Sequence, residues 1–218
     1  MFLRRILRDG LSIPAAILIT LLMVVAVSGL GIYIGNRFFW NKPEVFQNNS
    51  RLEFDAKNYE AKLNANPKDI DALYEMGWTY FQMGEIKKAK EMYDRVLTID
   101  PSHDGAHYNL GLVNYQLKDY QSAIYQFKLL ADKYPRHEAA HFALAKTYYA
   151  VKNYKLAEQQ LEHCLKIKPD SATTHYYYGL TKLAMGHRKQ AKSEFTEALR
   201  FDPQMLEAQQ QLTKLGDI

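Results

Sequence analysis

Cysteine is almost missing from this chain: Cys164 is the only one in 218 residues. That excludes an intrachain disulfide framework and any multi-cysteine zinc site, and it leaves the redox compartment open. Motifs of catalysis are missing as well. The sequence holds no nucleotide-binding glycine loop, no nucleophile elbow and no paired-carboxylate motif, so the chain is read as a non-enzyme without a cofactor. A strong net charge is also lacking. Arg4, Arg5, Arg8, Arg37 and Lys42 against Asp9 account for the whole formal charge of +4, so acidic and basic residues balance from Pro43 onward. Nucleic acid is therefore not the expected partner, because phosphate binding calls for a basic patch on the folded domain itself.

What the chain does have begins with a long apolar run. "LSIPAAILITLLMVVAVSGLGIYIG", residues 11–35, carries no charged side chain. As a helix rising about 1.5 Å per residue it would cross a hydrocarbon core of about 30 Å with some tilt. Ser12 and Pro14 suit a helix start, and Tyr33, Phe38, Phe39 and Trp40 suit a membrane interface at its far end. The expected layout is a basic tail over 1–10, a transmembrane helix over 11–36, and a linker with a capping helix over 37–69. A cleaved signal peptide ending at the "AVS" before Gly29 is the competing reading; the apolar run continues past that point, which favours a retained anchor. The compact basic tail favours a cytoplasmic N-terminus and an extracytoplasmic body, as on the periplasmic side of a bacterial inner membrane. The near tie in flanking basic residues keeps the cytosol-facing alternative open. Ser28, Gly31 and Gly35 are small residues spaced for close packing against a second membrane helix.

Beyond the run, one outline returns every 34 residues: "LYEMGWTYFQMGEIKKAKEMY" from Leu73, "HYNLGLVNYQLKDYQSAIYQF" from His107, "HFALAKTYYAVKNYKLAEQQL" from His141 and "HYYYGLTKLAMGHRKQAKSEF" from His175. The copies span 70–103, 104–137, 138–171 and 172–205. Gly77, Gly111, Ala145 and Gly179 stand at the eighth position, Ala89, Ala123, Ala157 and Ala191 at the twentieth. Tyr93, Phe127, Leu161 and Phe195 stand at the twenty-fourth, and Pro101, Pro135, Pro169 and Pro203 near the end of each copy. Small residues let two antiparallel helices approach closely, the large apolar residue fills the space beside them, and proline ends the second helix. The pattern resembles the tetratricopeptide repeat (TPR) family, whose unit is a helix–turn–helix of this length. The resemblance implies an all-α TPR helical solenoid of four repeats, carried here on one N-terminal transmembrane helix. "LEAQQQLTKL" reads as a C-terminal capping helix within 206–218, with Leu206, Leu212 and Leu215 as its apolar contacts. The departures are Leu73 and three histidines at a usually aromatic fourth position, and Asn114 and Lys182 at the eleventh.

By the same resemblance, the fifth, ninth and twelfth positions face a concave groove. They read Tyr74, Tyr108, Phe142 and Tyr176; Trp78, Leu112, Lys146 and Leu180; and Phe81, Tyr115, Tyr149 and Leu183. Such an aromatic ladder suits a partner peptide with apolar anchors, although rings at these places also serve packing between helices. The family's clamp for acidic chaperone C-termini is not expected: Tyr74 and Trp78 occupy its first cation and amide sites, and Ala139 and Ala143 its later basic ones, with only Asn109 in place. His103–His107 and His137–His141 carry ligand-like spacing, but neighbouring repeats about 10 Å apart cannot share one zinc with bonds of about 2 Å. No metal is expected, the fourth-position histidines stand in for a structural aromatic, and Cys164 belongs to the core. The sequence thus points to a membrane-anchored interaction scaffold that docks partner proteins in a TPR groove. A permanent subunit of a membrane enzyme complex and an organelle-surface import receptor are the alternatives.

Overall fold

The computed structural model describes residues 43–216, with side chains from Ser50 onward. Ten helices follow one another: α1 (Pro43–Ala65), α2 (Ile70–Gln82), α3 (Ile86–Ile99), α4 (Asp104–Gln116), α5 (Tyr120–Lys133), α6 (Glu138–Ala150), α7 (Tyr154–Ile167), α8 (Ala172–Ala184), α9 (Arg188–Phe201) and α10 (Leu206–Lys214). The chain divides into two compact units between Glu53 and Phe54; of the first, residues 43–53 are described, and they are helical. The expected membrane span at 11–36, with Ser28, Gly31 and Gly35, lies outside the described residues. Among those that are described, no helix is long and apolar enough to cross a membrane.

Within the second unit each helix from α2 packs on the next, so α2–α3, α4–α5, α6–α7 and α8–α9 form four helical hairpins stacked into a solenoid. Why these segments are helices is visible at their ends. The residue before each first helix caps it: Asp69 accepts from the Ala72 amide at 3.0 Å, His103 Nδ1 from Ala106 at 3.0 Å, His137 Nδ1 from Ala140 at 3.1 Å and Ser171 Oγ from Thr174 at 3.3 Å. Each satisfies one of the amides a helix start leaves without a partner. The hairpin turns pass through left-handed backbone at Gly84, Lys118, Lys152 and Gly186. Glycine adopts that conformation without cost; lysine does so under strain.

The close approach between helices of one hairpin is measurable. A Cβ on Gly111 would lie 2.5 Å from Phe127 Cε1, one on Gly179 2.6 Å from Phe195 Cε1, and one on Gly77 2.9 Å from Tyr93 Cε1. The twenty-fourth-position ring therefore lies directly on the eighth-position glycine. The third hairpin trades volumes, Ala145 for glycine and Leu161 for the ring, and both are buried. Beneath them lie the twentieth-position alanines and a column of Val96, Leu130, Cys164 and Ala198. Thr79, Thr147 and Thr181, at the tenth position, are buried too, each hydroxyl donating to a carbonyl one turn back.

Two expectations change. The fourth-position histidines replace an aromatic residue only in part, because their ring nitrogens tie the hairpin together. His107 Nδ1 lies 2.6 Å from Gln126 Oε1, His141 Nδ1 2.7 Å from Gln160 Oε1 and His175 Nδ1 2.8 Å from Glu194 Oε2. His107 Nε2 and His175 Nε2 each lie 3.0 Å from the carbonyl of the preceding proline, Pro101 and Pro169. At the C-terminal end, Leu206 does not cap the stack: it is 64% exposed, and Ala208 and Leu212 are the buried residues of α10. Leu206, two residues before Ala208, falls on the opposite side of that helix, while Ala208, Leu212 and Leu215 recur on the covered face at helical spacing.

Candidate functional site: the concave groove

The first helix of each hairpin presents its fifth, ninth and twelfth positions together, and the structure gathers most of the expected groove residues into three groups. Tyr108, Leu112, Tyr115, Phe142 and Lys146 line one recess of about 150 Å³ between the second and third hairpins, floored by Phe127 and Ala143. Tyr74 and Trp78 line a shallower hollow of about 330 Å³ with Glu75 and Asn109. Tyr176 and Leu180 pack instead in the cluster that holds Leu212 and Leu215, so the capping helix takes up that part of the ladder. Phe81 is half-buried and stacks on Trp78 at 5.6 Å, leaving the indole 39% exposed. Tyr149 meets Tyr154 at 5.5 Å.

The fifth-position rings have a double role. Tyr74, Tyr108 and Tyr176 each stand 5.8 Å from the twenty-fourth-position ring of their own hairpin, Tyr93, Phe127 and Phe195. Tyr74 also reaches the next hairpin, where Asn109 Nδ2 donates to its hydroxyl at 3.1 Å and to that of Tyr93 at 3.2 Å. Asn109, which matched one isolated position of the family's peptide clamp, is thus spent on holding two repeats together.

One charged side chain stands in the ladder. Lys146 Nζ lies 5.7 Å from the Tyr115 ring centre, 5.9 Å from Phe142 and 5.2 Å from Tyr177. Tyr177 meets Phe142 edge-on at 5.3 Å and so joins the second, third and fourth hairpins at one place. The expected groove residues omit it, since it stands at the sixth position; the run Tyr176-Tyr177-Tyr178 was the available signal. Burial pushes the Tyr108, Tyr115, Tyr149 and Tyr177 phenols above their ordinary range, so at neutral pH they stay protonated and able to donate.

On the second helices, a hollow of about 370 Å³ is lined by Tyr125, Leu129 and Lys133 among others. Its charge is satisfied: Lys133 Nζ donates to Asp104 Oδ1 at 2.8 Å, and the Tyr134 hydroxyl donates to Oδ2. Those bonds, Lys133 first and Tyr134 second, hold the Asp104 carboxyl below the usual carboxylate range. Cys164 lies under the hairpins with its thiol 3.7 Å from the Glu138 carbonyl, and burial pushes its pKa up to about 12. Among the described residues, no group of three or more histidine, cysteine or carboxylate side chains is placed to hold a metal.

Two tetratricopeptide-repeat family profiles match the chain, one over residues 74–137 and one over 114–183. It is a tetratricopeptide repeat protein. A search of curated proteins finds no match. Solved structures are similar in fold. MamA superposes with a TM-score of 0.64 at 24% identity over 70% of this chain and 89% of its own. MamA from Desulfovibrio magneticus RS-1 gives 0.68 at 19% over 78% and 96%. YrrB, described as a TPR protein with an unusual peptide-binding site, gives 0.66 at 20% over 78% and 88%. At these identities the likeness concerns the TPR fold.

Proposed function

We propose that this TPR protein is a membrane-anchored interaction scaffold, docking a segment of a partner protein in its concave groove to assemble or stabilise a membrane-associated complex. The observation that carries the reading is the recess at Tyr108, Leu112, Tyr115, Phe142 and Lys146, where an apolar floor and a few polar groups converge. The peptide-binding site ascribed to YrrB, a protein of the same fold, supports it. The anchor rests on the uncharged run at residues 11–35, and the basic tail before it favours an extracytoplasmic solenoid, on the periplasmic side of a bacterial inner membrane. The anchor confines the search for a partner to one membrane, and Gly31 and Gly35 offer a surface for a partner's helix. No step of this mechanism calls for catalysis.

Site-specific photo-crosslinking in native membranes tests it, with an aromatic photoreactive residue at position 108 and another at 35. A partner captured at 108 and identified by mass spectrometry is the expected result. Protease protection of sealed vesicles reports the side of the membrane and separates the scaffold from an import receptor facing the cytosol. A second reading, a permanent subunit of a membrane enzyme complex, draws on the exposed Tyr125 and Leu129 of the second helices. Crosslinks at positions 35 and 125 with none at 108 would favour it and overturn docking in the groove.

A further inference from the structure

Where this fold half-buries a lysine, it supplies an acid. Lys182, 12% exposed in its side chain, is paired with Glu158, and the partly covered Lys90 is paired with Asp94. Lys146 departs from that rule. It is the only charged side chain at the fifth, ninth and twelfth positions of all four repeats. Its ammonium is surrounded by three aromatic rings and has no ion-pair partner among the described residues. Cation–π attraction compensates part of its lost hydration. A full counter-charge is what the site lacks. The Tyr115 ring, whose burial-raised phenol feels the Lys146 charge, has no hydrogen-bond acceptor among the described residues, so the ammonium and this hydroxyl both face the groove without an anion.

Resting on the groove reading above, we propose that the partner segment carries an aspartate or glutamate side chain that pairs with Lys146, flanked by apolar side chains, one of which fills the recess at Leu112. A partner cation is the wrong chemistry, because the Lys146 ammonium already sits among the aromatic rings and would repel it. A C-terminal carboxylate fits less well than an internal side chain. The ladder continues to both sides of Lys146, through Trp78 and Phe81 one way and Tyr149 the other, so a docked segment runs past the ammonium in both directions.

The test uses the full chain in detergent micelles and a positional-scanning library of fluorescent nonapeptides, acetylated and amidated so that neither end is charged. Binding is read by anisotropy. The expected selection is Asp or Glu at one central position with Leu, Phe or Tyr beside it. Changing that acid to its amide is expected to weaken binding about tenfold, as for loss of a charge-assisted hydrogen bond. Lys146→Met is expected to weaken the acidic peptide by the same factor and leave the amide peptide unchanged. Leu112→Arg, which blocks the recess, is expected to abolish both, with Tyr115→Ala, which removes a wall of the recess, as a second variant should Leu112→Arg fail to fold by circular dichroism. If the blocking variant abolishes binding while Lys146→Met retains the acid preference, the acidic partner is overturned and the groove stands. Binding that survives blocking, or a library without a binder, overturns both. Selection of a basic residue, or binding that needs a free C-terminus, overturns the internal acid.

Discussion

The contact between Gly111 and Phe127 gives the sharpest test of how these hairpins are built. Gly111→Ala adds a Cβ at 2.5, 2.8 and 2.9 Å from three atoms of a ring that is 1% exposed. Ordinary carbon contacts begin near 3.5 Å, so the ring has to retreat by about 1 Å into a cluster holding Leu130, Ala131 and Leu144. Overpacking of this kind costs about 1–3 kcal/mol, and the tightness of the approach puts it near the upper end. Alanine recovers about 1 kcal/mol of helix propensity over glycine, leaving a net loss of about 2 kcal/mol. Phe127→Leu alone leaves a void and costs about 1–2 kcal/mol. The double variant recreates the Ala145–Leu161 pair that the third hairpin already uses, so its loss is expected to fall below about 1 kcal/mol. The coupling between the two sites is then about 2–3 kcal/mol in the stabilising direction. Urea unfolding followed by far-UV circular dichroism measures it through midpoint shifts at constant slope. Losses that add to within about 0.5 kcal/mol would refute the volume trade between the eighth and twenty-fourth positions.

Lys118→Gly and Lys152→Gly each remove a strained left-handed residue that the first and fourth turns assign to Gly84 and Gly186. Each is expected to stabilise by about 0.5–1 kcal/mol, the relief of strain exceeding glycine's extra unfolded-state entropy, and a lower urea midpoint for either would refute it. Burial raises the pKa of the Cys164 thiol from 9.0 to about 12. The folded chain holds this proton through the interval in which the unfolded chain has lost it, so stability falls as pH rises from about 9 towards 12. Cys164→Ala is expected to flatten that fall, and the wild-type thiol to react with a maleimide at the rate of unfolding. Rapid labelling of the native chain at neutral pH would contradict the burial.

The repeat was legible because it rests on size. Gly77, Gly111 and Gly179 against a ring are a steric demand that sequence spacing displays directly. Backbone demands were less visible. Lysine has no preference for the left-handed region, so nothing in Lys118 or Lys152 announces it; only their register with Gly84 and Gly186 does. Asp69 and Ser171 are ordinary capping residues, but His103 and His137 cap through an imidazole nitrogen, and they invited a metal reading because their spacing looked like that of ligands. Leu206 was misplaced because a nine-residue helix gives too few turns for hydrophobicity alone to define its inner face.

Aromatic content is the weaker clue to function in this groove. Tyr74, Tyr108 and Tyr176 contact the central ring of their own hairpins, and Tyr74 binds Asn109 of the next, so the fold would retain these rings without any partner. Truncating them would mix lost packing with lost binding. The informative residues are those that packing does not use up: Trp78, exposed on one face while stacked on Phe81 with the other; Leu112, half-buried at the recess; and Lys146, charged without a counter-ion among the described residues. A site is better located by what the fold leaves unsatisfied than by which residue types recur, because recurrence in a solenoid serves the stack first. By that criterion the second and third hairpins, not the whole ladder, hold the part of the groove where binding and folding can be separated by mutation.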